Sequence, residues 1–287
     1  MYDGLSSNIT EGFNLGIKKA IVLSDLHCGS TYGLLPPGVE LQEGNIVEQN
    51  PLQEYLWQCW QHWQADWFDK HVGDDEFALI INGDAVEGVH HGTKEIVSPD
   101  PSDHRTIALH ALAPLAERAS KTFVVEGTDC HVGNSEHKLG YDLGAERPTQ
   151  HRFLGAWRTL RVKIHGCMCM FYHHIGTTKR AYLEASQLSI ELGNGRQEAI
   201  RGGVEPHKVL GCAHRHKFGM FQDSQCLSFV TPPWQGITRF GRKVVPAAFC
   251  EPGVVMLDWS DKEFGEKPDL HNIIFPPPPC DLEIASV

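Results

Sequence analysis

The chain has 287 residues, with 25 Lys and Arg against 36 Asp and Glu, and a formal net charge of −11. A hydrophobic fraction of 41% and a charged fraction of 21% fit a folded globule and exclude a disordered or collagen-like chain. No apolar run approaches the roughly 18 residues of a membrane span, and MYDGLSSNITEGFNLGIKK at the N-terminus lacks the layout of a secretory leader.

Lys19-Ala20-Ile21-Val22-Leu23-Ser24 is a short apolar run that predicts a strand ending at Asp25-Leu26-His27. Turn signals follow at Gly33, Pro36-Pro37-Gly38, Gly44-Asn45 and Asn50-Pro51. From Leu52 to His71 the period turns helical, with Leu56, Trp60, Trp63 and Trp67 on one face and Pro51 in the first turn. That stripe matches a core-facing helix; the competing reading is a platform on which bases stack. Phe77 to Ile81 predicts a second buried strand, running into Asn82-Gly83-Asp84. Helical pattern returns over Ser102 to Ala119, capped by Asp103.

A third strand, Lys121 to Glu126, ends at Gly127-Thr128-Asp129-Cys130-His131. A short helix near Ser135 to Gly144 precedes a hairpin of about Thr159 to Ile164 and Cys167 to Tyr172, whose second arm ends at His173-His174. A helix over roughly Lys179 to Leu192 leads to the strand Lys208 to Cys212, which ends at Ala213-His214-Arg215-His216. Leu227 to Thr231 and Gly253 to Trp259 predict two last strands. The organisation expected is one domain over 1–265, with an inserted loop and helix at about 30–75, then a proline-rich tail over 266–287.

Two residue counts bear on chemistry. The nine Cys form no CxxC knuckle, and a chain of this length needs no disulfide framework, so reduced thiols of a cytoplasmic protein are expected. The 17 His matter by position, because imidazole is the commonest transition-metal ligand. Five predicted strands end in polar clusters: Asp25 with His27, Asp84, His131, His173 with His174, and His214 with His216. Sites in open α/β sheets form at such carboxyl ends, and strand alternation puts both members of Asp-x-His or His-x-His on one side. Carboxylate and imidazole from separate strands suit a pair of divalent metals. Taken singly, each cluster fits a turn or a solvated loop equally well; their order and shared placement favour a metal site.

The order DxH, GD, a Gly-rich turn carrying His, a His after a strand, and HxH resembles the calcineurin-like metallophosphoesterase superfamily. The resemblance spans about residues 20–260, and GDAVEGVHHGT, EGTDCHVG and the insertion before the Trp helix are similar to phage-borne members. It implies an α/β fold, a two-layer β-sandwich flanked by helices, with two metals at the strand ends. Residue by residue, it implies Asp25, His27 and His216 on one metal, Asp84 bridging, and His173 (or His174) and His214 on the second. A metal-bridging hydroxide would attack phosphorus, and His131 would protonate the leaving alkoxide. Thr128 stands where the family carries a ligating Asn, with the Asp129 carboxylate beside it as the alternative in the catalytic turn. Val132 follows His131, so the acidic residue that orients the family's His is missing there. Mn²⁺ is the expected metal, with Fe or Zn as alternatives. A host-cell cytoplasm is the expected location if the chain is phage-encoded.

Cys28, Cys130 and Cys212 lie near these motifs but read as packing residues, since neighbours in extended chain point apart. His90, His91, Arg180 and Arg215 are candidate substrate contacts, and Arg239, Arg242 and Lys243 mix with Phe240 as in nucleic-acid grooves. The expected function is hydrolysis of a phosphodiester in a nucleic acid or nucleotide. The alternatives are a phosphomonoesterase, a metal-binding scaffold without turnover, and a nucleic-acid-binding module built on the Trp helix.

Overall fold

A computed structural model of the chain describes residues 14–90, 92–148, 153–176, 184–244 and 249–278. The elements begin with β1 (Asn14–Leu15), β2 (Lys19–Leu23) and α1 (Pro51–His62), which continues through a π-helical turn (Trp63–Phe68) into α2 (Asp69–His71). Then follow β3 (Phe77–Asn82), α3 (Pro101–Arg118), β4 (Lys121–Val125), α4 (Asp129–Val132), α5 (Ser135–Asp142), β5 (Leu160–Ile164) and β6 (Cys167–Phe171). The chain closes with α6 (Glu184–Arg201), β7 (Val209–Cys212), β8 (Gly219–Gln222), β9 (Leu227–Val230), α7 (Arg239–Val244), β10 (Gly253–Asp258) and β11 (Asp269–Ile274).

Local chemistry sets the helix starts. Asn50 and Gln53 form a reciprocal capping box ahead of α1, with Pro51 in its first turn. Asp100 accepts from the Ser102 N–H and caps α3, so the cap falls three residues before the Asp103 expected for it. Asp103 instead is buried and bonded to Ser98 and to the Gln42 N–H.

The strands form two sheets, in the orders β1-β5-β6-β7-β9-β8 and β11-β10-β2-β3-β4. Within them β2, β3 and β4 run parallel, as do β6, β7 and β9. The inner faces pack together: Val22, Ile80, Phe123 and Val125 of one sheet meet Leu160, Phe171, Val209 and Phe229 of the other. The outer face of the β2 sheet buries Ile21, Leu23, Leu79 and Ile81 against Trp60, Trp63, Ile107 and Leu112 of the helices. On the opposite side, Leu188 and Leu192 of α6 cover Leu210 and Val230. The architecture is therefore α/β, a two-layer β-sandwich flanked by helices, as the resemblance implies. Among the described residues no helix is long and apolar enough to cross a membrane.

The Trp stripe is core. Trp60 and Trp63 are fully buried, and Trp60 meets Trp63 and Trp234 edge to face at 5.5 and 4.8 Å between ring centroids. Trp57 and Trp67 pack on the same cluster from its margin. β11, within the segment expected to be a tail, pairs antiparallel with β10 over its whole length. Its sequence, DLHNII, exposes three polar or charged residues, Asp269, His271 and Asn272, and offers no clean alternation, so only the partner strand defines it. Seven Cys are free and buried, consistent with thiols that fill the core.

One buried histidine lies far from the strand ends just described. His207 precedes β7 and is fully buried, its ring so close to Gly195 of α6 that a side chain there would press on it. Neither ring nitrogen has a hydrogen-bond partner among the described residues. Burial, with Arg161 and Arg196 nearby, pushes its pKa down to about 4 from the usual 6.5. A depressed imidazole pKa favours folding above 6.5, and that contribution is lost as pH falls toward 4. Urea unfolding at pH 7 and pH 4.5 should therefore show the wild type losing about 2 kcal/mol more than His207→Leu. Parallel losses in the two proteins would assign the acid sensitivity elsewhere.

Candidate metal centre

Six parallel strands end at the same edge of the sandwich, three from each sheet. Their exits carry Asp25 and His27 (β2), Asp84 (β3), Thr128 and His131 (β4), His173 (β6), His214 and His216 (β7) and Gln235 (β9). The pleat does not aim these side chains. Asp25, His27, Asp84, His214 and His216 all have left-handed backbone, with φ between 45° and 73°. Among the described non-glycine residues only His165, in a hairpin turn, shares that conformation. Each tight turn costs about 1 kcal/mol for a residue with a Cβ. The turns curl Asp-x-His and His-x-His inward just past the strand, which replaces the alternation expected from the sequence.

Three groups of donors result. Asp25, His27 and His216 each offer a ligand atom within 4.8 Å of the others, and so do Asp84, His173 and His214. A third group, His27, Glu87 and His131, shares His27 with the first. Asp84 stands between the first two: its Oδ2 lies 2.9 Å from His173 Nε2 and 3.8 Å from His27 Nε2. Across the centre, His216 Nε2 is 3.2 Å from both Asp25 Oδ1 and His27 Nε2.

The far end of each inner side chain is tied down. His173 Nδ1–H donates to the Asn82 carbonyl at 2.9 Å, and His27 Nδ1–H donates to Glu87 Oε2 at 2.8 Å. Those bonds hold the Nδ1 protons outward and turn both Nε2 atoms inward. Asp84 Oδ1 accepts from the Thr128 N–H at 2.7 Å, and Asp25 Oδ2 accepts from Ser24 Oγ at 2.7 Å. Asp25 Oδ1 and His173 Nε2 are buried with no hydrogen-bond partner among the described residues. Such inward atoms with anchored far ends are the donor set a metal ion requires, and carboxylate with imidazole suits a divalent transition metal.

Electrostatics agree. Burial would push the Asp25 carboxyl up, but His216 and then His173 hold it down at about 2. The Asp84 carboxyl, against the same burial, is held well below the usual carboxylate range by His173 and His27. Burial disfavours protonated His27 and His173, yet Glu87 raises the former to about 9 and Asp84 the latter to about 10. His214 goes the other way: burial, then His173 and His174, push it down to about 4. The pocket thus keeps its carboxylates ionised and draws positive charge to them.

Of the expected residues, Asp25, His27, Asp84, Thr128, His173, His214 and His216 converge. Thr128 Oγ1 donates to Asp84 Oδ2 at 3.0 Å and lies 3.3 Å from His214 Nδ1. His173 is the buried member of its doublet; His174 is exposed, its ring 4.4 Å from that of His214. Asp129 is exposed and belongs to none of the donor groups. His131 Nδ1–H donates to the Glu87 carbonyl at 3.1 Å, and His90 packs edge-on against its ring at 4.1 Å. Arg215 spends its guanidinium on the Gly176 carbonyl and Gln187, which anchors it to α6. His91 and Arg180 lie outside the described residues. Cys28 and Cys212 are buried thiols, the first pushed well up by burial and the second to about 12, and neither joins a donor group.

Two acids escaped the motif reading. Glu87, three residues past Asp84, joins His27, His90 and Gln235 in hydrogen bonds, and its Oε1 is 3.9 Å from His131 Nδ1. The acid expected next to His131 is thus supplied from the β3 exit, and Gly83-Asp84-Ala85-Val86-Glu87 was the available signal. Glu136 of α5 is 1% exposed and accepts N–H bonds from Ala85 and Gly127, at 3.0 and 2.6 Å. Burial, then Asp84, push its carboxyl up to about 8 against those donors.

No family model matches this chain, and no curated protein matches it. Among solved structures it is similar to an archaeal phosphodiesterase at 10% identity, covering 90% of this chain and 99% of that one, with a TM-score of 0.42. It is also similar to Vps29 of Chaetomium thermophilum (12% identity, 91% and 100% covered, TM-score 0.43). Vps29 of Entamoeba histolytica in complex with Zn²⁺ is a further one (11% identity, 90% and 99% covered, TM-score 0.37).

Gly127 lets the β4 turn press on the centre, since a Cβ there would stand 2.2 Å from Asp84 Oδ1. Gly127→Ala must displace Asp84 or the turn. Titration of the metal-free protein with Mn²⁺ should show affinity weakened about 10- to 100-fold. Unchanged affinity would mean that the turn yields and the close approach of Gly127 does not set the position of Asp84.

Proposed function

We propose that this chain is a two-metal phosphodiesterase of the calcineurin-like class, with Mn²⁺ as the working metal and a nucleic acid or nucleotide as substrate. The observation that carries the reading is the pair of donor groups on either side of Asp84, in which Asp25 Oδ1 and His173 Nε2 are buried without a hydrogen-bond partner among the described residues. Asp25, His27 and His216 would hold one ion, and His173, His214 and Thr128 the other, with Asp84 facing both. When bound, such ions supply Lewis acidity toward phosphoryl oxygens and a nucleophile at neutral pH.

The chain's own groups do the rest. His216 and His131, with side chains 33% and 20% exposed, form the open side by which a phosphoester reaches Asp25 and Asp84. Because a carbonyl can only accept, the Glu87 bond keeps the proton on His131 Nδ1 and leaves Nε2 to exchange one with the leaving oxygen. Burial, with His27 beside it, lowers the His131 pKa, which eases that transfer. His90 braces the ring, and Glu87 holds His27, His90 and Gln235 together. A metal-binding scaffold without turnover is the rival reading, favoured by the weakly ligating Thr128 hydroxyl at the second group.

Bis(4-nitrophenyl) phosphate and 4-nitrophenyl phosphate, assayed with Mn²⁺, separate these readings. The diester should be the better substrate, and Asp84→Ala should lower its turnover by about 10³ or more. Preference for the monoester would make the enzyme a monoesterase, and no turnover of either with several metals would leave the scaffold. His131→Asn should cost about 10² or more with an alkyl leaving group but far less with 4-nitrophenolate, which leaves without a proton. Equal losses on both would remove His131 from the proton transfer.

A further inference from the structure

Beyond β9 the chain runs along the mouth of the metal centre. The Trp234 N–H bonds the Asp25 carbonyl at 2.9 Å, Gln235 Nε2 bonds Glu87 Oε2 at 3.0 Å, and the Gly236 N–H bonds the Tyr32 carbonyl at 2.8 Å. Arg239, which opens α7, follows Gln235 by four residues, so chain reach keeps it within about 14 Å of that amide. A second link comes from the opposite rim: Arg239 Nε is 3.5 Å from Glu95 Oε1, on a segment that bridges through Ile96 to Ser30.

The local composition is basic and aromatic. Residues 224–250 contain no Asp or Glu, although the whole carries 36. Within that stretch α7 exposes Arg239, Phe240, Arg242 and Lys243, and Phe240 is 74% exposed. A six-residue helix that leaves a phenyl ring in water contributes little to the core. Arg239, Arg242 and Lys243 share one short helix with the exposed Phe240, and cations on the same element as an open aromatic ring suit the alternation of phosphate and base along a nucleic-acid strand.

We infer that α7 is the docking element for a single-stranded nucleic acid, with Phe240 stacking a base and Arg239, Arg242 and Lys243 pairing with phosphates. The strand lies a few nucleotides from the metal centre, which places its scissile phosphate between the donor groups. That last point rests on the phosphodiesterase reading; the binding itself does not.

Fluorescence anisotropy of the full chain with a labelled thymidine 12-mer, in EDTA to stop cleavage, tests the binding. The triple variant Arg239→Gln, Arg242→Gln, Lys243→Gln should raise Kd about tenfold or more at low salt. Its slope of log Kd against log salt should fall by about 2, the value for three lost phosphate contacts on a single strand. Phe240→Ala should raise Kd about tenfold and leave that slope unchanged. All four residues are exposed, and thermal melts confirm folding of each variant. A wild type that does not bind the 12-mer, or variants that bind it equally well, overturns the inference. So does equal affinity for a phosphopeptide of the same charge. Turnover of bis(4-nitrophenyl) phosphate reads the metal centre separately. Strand binding through α7 without that turnover supports the docking element and removes the phosphodiesterase reading.

Discussion

Asp84 carries its charge where water does not reach it. The residue is 1% exposed, and Asp25 beside it is fully buried. Two ionised carboxylates in such a place repel each other, and each costs several kcal/mol of desolvation. The fold answers with imidazoles on every side, His27 and His173 close to Asp84, and His216 and His173 close to Asp25. Positive charge is what this pocket demands, whether as imidazolium or as a divalent cation. The six strand exits, their tight turns and the second layer of hydrogen bonds all serve that demand.

Delivery of the side chains has its own cost. Five candidate metal donors sit on left-handed residues, a conformation disfavoured by contacts of the Cβ with the backbone. Asp and His tolerate it better than bulky or β-branched residues, so the ligand types also suit the turns. The turns stay put because neighbours determine them. The Asp25 N–H donates to the Gly83 carbonyl and the His27 N–H to the Asp84 carbonyl, lacing the β2 exit to the β3 exit. Glu136 reaches in from α5 and takes N–H bonds from both the β3 and β4 exits. Strain at the ligands is thus offset by backbone hydrogen bonds in a buried shell, the pattern expected where geometry must be fixed before a substrate arrives.

The sequence exposed this scheme unevenly, for physical reasons. Runs such as Ala20 to Leu23 and Phe77 to Ile81 are buried on both faces, so they read as strands from apolarity alone. The polar residues directly after them could be read as a site because position relative to the strand end carries the information. What lies one step further out could not. Glu87 and Glu136 act through partners 60 and 51 residues away; Glu87 at least stands three residues past Asp84, whereas nothing local distinguishes Glu136 from a surface acid. His173 and His174 are separated only by which one the β6 exit turns inward. β8 and β11 are half-exposed edge strands whose patterns, GMFQ and DLHNII, carry little apolar signal. Asp-x-His and His-x-His converge through tight turns and not through strand alternation, because residues in left-handed turns obey no period of two.

Charge segregation links the centre to its rim. At physiological ionic strength the Debye length is about 8 Å, so acids on the remote surface are largely screened from a phosphate at the mouth. What that phosphate would meet is local: ionised carboxylates sunk behind imidazoles, and the Arg239, Arg242 and Lys243 side chains of α7. The net charge of −11 then acts at longer range and lower salt, where it opposes indiscriminate adsorption to polyanions. A strand gains attraction only once it lies within a Debye length of the rim, and there an aromatic face is offered beside the cations. On the proposed docking, acidic bulk and basic rim are complementary: the first limits where a polyanion is held, and the second holds it next to the buried donors.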